Sequence, residues 1–240
     1  MPKKRIFRVW YHFAIAVAMF AVVNVIMKNS YDFKVIALSF TGWESIGNSN
    51  WYIFAILFMY IVTYMAFRIF KTNHLSALIM VVVSCGIYIL LLHGLQKGDW
   101  WYNTIISYPA GMFYAKYKNK IESIVWKSKY IYLAFIGAVI GIGMLAFSFC
   151  YKFIMYECLC IAFISFIVLL TMKISIKNEI LEFLGRYTFE IYVLQRIPMI
   201  LFKDIINNTY VYFCLCLLVT IIIAMLFKKI THRLDSVFIK

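Results

Sequence analysis

Acidic residues are scarce in this chain of 240 residues: 10 Asp and Glu stand against 24 Lys and Arg, and charged residues of both signs make up only 14%. A domain with so little charge cannot cover itself with a water-facing surface, which excludes an ordinary soluble fold. Proline is also rare, with 3 residues, and no Pro-, Ser- or Gly-rich stretch separates one part from another. Nothing therefore reads as a linker, and residues 1–240 are taken as a single integral membrane domain. HExxH, a CxxC pair, GxSxG and a P-loop are all missing, which excludes the ready-made sites of many hydrolases and nucleotide-binding proteins. The 6 cysteines lie in or beside apolar runs. Cys158/Cys160 and Cys214/Cys216 are spaced so that each pair points to different sides of a helix, so no metal site is expected and the thiols read as small hydrophobes.

What the chain has in abundance is apolar surface: 65% of residues are hydrophobic and 19% aromatic, with a mean hydropathy of +0.86. The apolar runs are about 17–21 residues long, the length at which a helix crosses the hydrocarbon of a bilayer. The expected fold is all-α, a polytopic transmembrane helix bundle of about eight spans near 9–27, 51–70, 75–93, 101–117, 131–149, 152–172, 187–202 and 210–227. The basic start MPKKRIFR leads into the first run with no small-residue cleavage pattern after it, so that run is expected to remain as an anchor.

The net charge of +14 does not form the single stripe of a nucleic-acid binder, so no nucleic acid is expected as a partner. Lys and Arg recur instead at every second gap between spans. Lys3, Lys4, Arg5 and Arg8, then Arg68 and Lys71, Lys116 to Lys129, Lys173 to Arg186, and Lys228 to Lys240 share one side. Only Lys28, Lys34, Lys97, Lys152 and Lys203 stand on the other. The positive-inside rule puts both termini in the cytoplasm. The opposite side then carries TGWESIGNSNWY and GLQKGDWWY, whose Trp43, Trp51, Trp100 and Trp101 suit an interfacial belt or a surface on which sugars stack.

One apolar stretch, LGRYTFEIYVLQRIPMILF over 184–202, carries groups that are costly in hydrocarbon. In a continuous helix Thr188, Tyr192, Gln195 and Arg196 share a face, whereas Glu190 turns toward Arg186, its expected partner one turn nearer the cytoplasm. Pro198 offers no amide to the Leu194 carbonyl and permits a kink there. A buried Arg satisfied by helix carbonyls would explain the stretch as packing. A substrate site would explain it as function, with Tyr192, Gln195, Arg196, Glu190 and the outer Trp51 as binding residues. Among the histidines, His74 and His232 sit at basic edges. His12 and His93, at the ends of spans, are the catalytic candidates, each weighed against a packing role.

Four segments in this order resemble the acyltransferase-3 family of bacterial inner-membrane O-acyltransferases. They are KKRIFR at 3–8, GNSNWYIFAILFMYIVTYMAF at 47–67, YPAGMFYAKY at 108–117 and LGRYTFEIYVLQRIP at 184–198. The resemblance implies O-acetylation of a cell-surface polysaccharide or lipid-linked glycan, with acetyl-CoA as acyl donor, no metal, and residence in the bacterial cytoplasmic membrane. It places Lys4, Arg5 and Arg8 where coenzyme A phosphates would be attracted, a cluster that a topogenic role also explains.

The family's helix bearing an Arg and, a few turns on, a His is missing. At that offset Arg5, Arg8, Arg68, Arg186 and Arg196 are followed by Ala16, Met19, Ile79, Ile197 and Asn207. The expectation is a chain lacking about the first two helices of the family. Such a chain would be inactive alone or completed by a separate chain that supplies them. A non-enzymatic glycan transporter or flippase component is the alternative from another class, with Arg196, Glu190 and the outer Trp residues lining a path.

Overall fold

A computed structural model of the chain describes residues 2–238. Lys240 and the side chain of Lys3, which entered the charge reading, lie outside the described residues. Among the described residues there is no strand, and they form eleven α-helices and one 3-10 turn. Among the described residues six helices are long and apolar enough to cross a membrane: Lys4–Ile26, Trp51–Phe70, His74–Gly94, Lys129–Phe149, Lys152–Lys173 and Thr209–Ser236. They correspond to six of the expected spans and make this a multi-pass membrane protein. The other two expected spans fall on stretches of different character. Residues 101–117 begin in the 3-10 turn Asp99–Trp101 and run into a helix studded with Lys116, Lys118 and Lys120. Residues 187–202 are divided into two short helices.

The chain forms two compact units. The first takes Met1–Tyr60 and Asn178–Lys240. It holds α1 (Pro2–Ile26), α2 (Phe33–Ser39), the start of α3 (Trp51–Phe70), and then α8 (Glu179–Arg186), α9 (Thr188–Leu194), α10 (Arg196–Phe202) and α11 (Thr209–Phe238). Phe13, Ala16, Val17 and Phe20 recur at helical spacing along α1 and are fully buried. They meet Ile46, Ile53, Val193, Leu194, Ile197 and Phe227 in one core cluster, as a one-sided apolar stripe requires. α8 starts where Asn178 accepts the amides of Ile180 and Leu181. α11 starts where Asn208 accepts those of Tyr210 and Val211, the ordinary N-cap chemistry.

The interruption between α9 and α10 falls at Gln195, one residue after the carbonyl that Pro198 cannot serve. The helical ladder is therefore interrupted where Pro198 withholds its amide.

The second unit spans Ile61–Lys177. It holds the rest of α3, then α4 (His74–Gly94), α5 (Ser107–Trp126), α6 (Lys129–Phe149) and α7 (Lys152–Lys173). α6 and α7 pack as a tight hairpin, with Gly143 close enough that a Cβ there would lie 3.7 Å from the Ala162 Cβ. Small residues allow such an approach where lipid offers no hydrophobic drive between helices. On α6 the large side chains of Ile142, Met144, Leu145, Phe147 and Phe149 are all exposed, which suits hydrocarbon and no aqueous solvent. At the basic end of the hairpin the Lys173 ammonium lies 3.9 Å from the Trp126 ring centroid.

Candidate functional site

Polar chemistry gathers at both ends of the first unit. At the end where the basic segment begins, α1 and α11 are tied together by Asp235. Its Oδ1 lies 2.9 Å from His12 Nε2 and its Oδ2 3.2 Å from Arg8 Nε. His12 is 9% exposed, set between the rings of Phe189 and Phe227 with centroids at 6.3 and 6.4 Å. A carboxylate accepts only, so Nε2 carries a proton toward Asp235, and in the neutral ring the lone pair is on Nδ1. Arg5 stacks its guanidinium 5.3 Å over Tyr60, and Lys4 is exposed on the same helix.

About two turns away along α11, Lys228 Nζ stands 3.6 Å from Glu190 Oε1, donates to the Arg186 carbonyl and sits 4.7 Å over the Tyr187 ring. This corrects the expected pairing. Arg186 reaches only Glu182, at 4.0 Å on the exposed face of α8, while Glu190 is 7% exposed and is held from α11. The physical reason is the break at Tyr187, whose φ of -112 and ψ of 8 leave the helical range between α8 and α9, so a spacing of four residues across it does not follow the face rule of a continuous helix.

At the other end, residues 41–50 fold into a hydrogen-bonded plug. Asn24 Nδ2 donates to the Ile46 carbonyl at 2.7 Å, and Asn50 Nδ2 donates to the carbonyls of Gly42 and Glu44, both at 2.9 Å. Asn48 Oδ1 accepts the Ile46 amide at 3.0 Å. Gly47 has φ 101, and a Cβ there would come 2.8 Å from Ile200 Cδ1, so only glycine lets this turn close on α10. Trp43 packs edge-on against Phe54, and Trp51 against Tyr52. In the second unit Trp101 is buried while Trp100 is exposed.

Beside the plug, the rings of Tyr52 and Tyr192 meet at 5.1 Å and 67°. The Tyr192 hydroxyl and Asn48 Nδ2 are buried without hydrogen-bond partners. Tyr192 and Gln195 are half-buried, whereas Arg196 is exposed and has no carboxylate partner among the described residues. The expected shared face thus survives the break only in part. What it offers is a phenolic donor and a cation uncommitted to any protein acceptor, groups suited to a carbonyl or an oxyanion.

The second unit carries polar groups that sequence reading missed. Glu157 on α7 is 4% exposed. Its Oε1 accepts the Ile106 amide at 3.2 Å, capping α5 from another helix, and its Oε2 is buried without a partner. The rule that singled out Arg196, an ionisable group inside an apolar span, applies equally to Glu157 and would have found it. His93 bonds Tyr102, which bonds Asp99. A cleft of about 450 Å³ opens among Phe67, His74, Leu78, Met112, Ala115 and Lys116. No group of His, Cys, Asp and Glu among the described residues could hold a metal ion. Lys228 entered the sequence reading only as one of the basic residues that set topology, and nothing in its local spacing or in that of Asp235 pointed to a partner on another helix.

Residues 2–229 match the model of the family described as "Acyltransferase domain". No curated protein and no solved structure matches the chain.

Proposed function

From the premise that the chain belongs to the acyltransferase-3 family, we propose that it is a membrane O-acyltransferase of a bacterial surface-glycan pathway. It takes an acetyl group from acetyl-CoA at the cytoplasmic face of the inner membrane and delivers it to a hydroxyl of a polysaccharide or lipid-linked glycan. Acyl transfer to a hydroxyl needs a base for the leaving proton and a positive group for the donor or the developing oxyanion.

The observation that carries the reading is the Arg8–Asp235–His12 set. It orients a buried imidazole at the head of the basic segment so that, in the neutral ring, Nδ1 is the acceptor. Lys4 and Arg5 lie on the exposed part of the same helix, where they would draw the phosphates of coenzyme A. The uncommitted Tyr192 hydroxyl and Arg196, with Trp51 nearby at the head of α3, supply donors for the acceptor glycan.

The test is the acetyl ester content of the surface glycan in cells with and without the gene. Deletion should remove the ester and the chain should restore it. A His12→Asn variant, expressed at the wild-type level, should restore about 100-fold less. Unchanged ester content on deletion refutes the reading. A fall in the amount of glycan at constant ester content per sugar would support the transporter alternative instead.

A further inference from the structure

At the end of the second unit opposite its basic turns, three side chains form a line of hydrogen bonds that the reading above leaves unused. His93, in the last turn of α4, places Nδ1 3.1 Å from the Tyr102 hydroxyl. That hydroxyl lies 3.0 Å from Asp99 Oδ1, and Asp99 Oδ2 lies 3.9 Å from Lys152 Nζ. A carboxylate only accepts, so the single phenolic proton of Tyr102 points at Asp99. The phenol oxygen then presents a lone pair to His93, and Nδ1 must carry the proton. The tautomer follows: Nδ1–H is the donor and Nε2 holds the lone pair.

The middle member of the line cannot swing. Tyr102 is 5% exposed, its ring meets Phe153 with centroids 6.0 Å apart, and its amide is held on the Asp99 carbonyl at 3.2 Å. Burial and the bond to Asp99 push its phenol up from the ordinary value, so it stays a donor through the working pH range. His93 itself is exposed, and Nε2 meets no other group among the described residues. The charged groups around the line are Asp99, Lys97 before it in the same turn, and Lys152 at the start of α7.

We propose that His93 is a second general base, taking the proton of an acceptor hydroxyl at this end of the protein in a transfer separate from the one beside His12, with Tyr102 and Asp99 as positioning residues that fix its tautomer. The inference rests on the acyl-transfer reading. The hydroxyl oxygen bonds to the carbonyl carbon of an acyl thioester or ester while its proton moves to Nε2. The imidazolium so formed keeps Nδ1–H on Tyr102, with Asp99 behind it to offset the charge. Collapse of the tetrahedral intermediate breaks the bond between the acyl carbon and the donor sulfur or oxygen, and the proton on Nε2 leaves with that atom.

Two measurements test this. The first is the initial rate of labelled acetyl incorporation into glycan by membranes of cells carrying the wild-type chain, His93→Asn or Tyr102→Phe. His93→Asn keeps a donor for Tyr102 but has no base, and should fall about 100-fold. Tyr102→Phe should lower kcat with little change in KM. Wild-type rates in His93→Asn overturn the proposal.

The second is ¹⁵N NMR of histidine-labelled protein in lipid, with His93→Gln to assign the signal. His93 should show a protonated Nδ1 and a bare Nε2 in the wild type, and Tyr102→Phe should release it toward the Nε2–H form that free imidazole side chains prefer. A protonated Nε2 on a neutral ring in the wild type overturns the proposal whatever the activity. A wild-type chain that makes no ester in cells overturns the acyl-transfer reading and the base role with it, and the NMR result then stands apart as a test of the geometry.

Discussion

Replacing Lys228 by Met removes the only cation facing Glu190 among the described residues, and the cost follows from the geometry. At 3.6 Å two unit charges attract by about 4–5 kcal/mol at an effective dielectric of about 20. The Lys228 side chain is 38% exposed while that of Glu190 is 9% exposed, so water screens the cation but barely reaches the carboxylate. A net loss of about 2–3 kcal/mol is expected, below the range for a fully buried pair because of that screening. The contacts to the Arg186 carbonyl and the Tyr187 ring are lost as well.

For a chain of this size about 2–4 °C of Tm accompanies each kcal/mol, which gives a fall of about 4–12 °C. The chain supplies its own reporter: Cys85 and Cys216 are buried and become reactive toward a thiol-specific fluorophore on unfolding in detergent. Arg186→Met is the control, because its partner Glu182 is exposed and that pair is worth less than about 1 kcal/mol. The double variant Lys228→Met, Glu190→Leu should recover most of the loss, since it leaves no carboxylate stranded. If Lys228→Met melts no earlier than Arg186→Met, Glu190 is not held in the way its burial indicates.

Other outcomes are equally specific. Gly47→Ala meets both a positive φ and Ile200 Cδ1 at 2.8 Å, so it should destabilise the first unit by about 1–3 kcal/mol, and Ile200→Val should relieve only part of this; the same thiol assay reads it. Glu157→Leu removes the acceptor at the head of α5 and should cost about 1–2 kcal/mol, whereas Glu157→Gln keeps an oxygen for the Ile106 amide and should cost less; equal losses would show that the cap contributes nothing. Both termini are expected in the cytoplasm, so single cysteines at Gln96 and Asn119, both exposed, should label from outside and from inside respectively. Asn48 is 1% exposed, so a cysteine there would report burial in place of sidedness.

Much of the architecture is legible along the chain because a bilayer acts on each segment separately. Every span must be apolar over its own length and satisfy its own backbone, so helices such as His74–Gly94 and Lys152–Lys173 announce themselves by composition alone. The break at Gln195 is legible for a similar reason, since Pro198 acts on a carbonyl one turn away.

The polar constellations were settled only by tertiary structure. His12 finds Asp235 across 223 positions, and Glu157 reaches Ile106 across 51. Glu190 turns from its local neighbour Arg186 to Lys228 on α11. One apolar helix resembles another in composition, so no residue pattern says which lies beside which. The arrangement that brings α1, α9 and α11 together decides which charges meet, and it was this packing, not the local spacing, that gave His12 and Glu190 their partners.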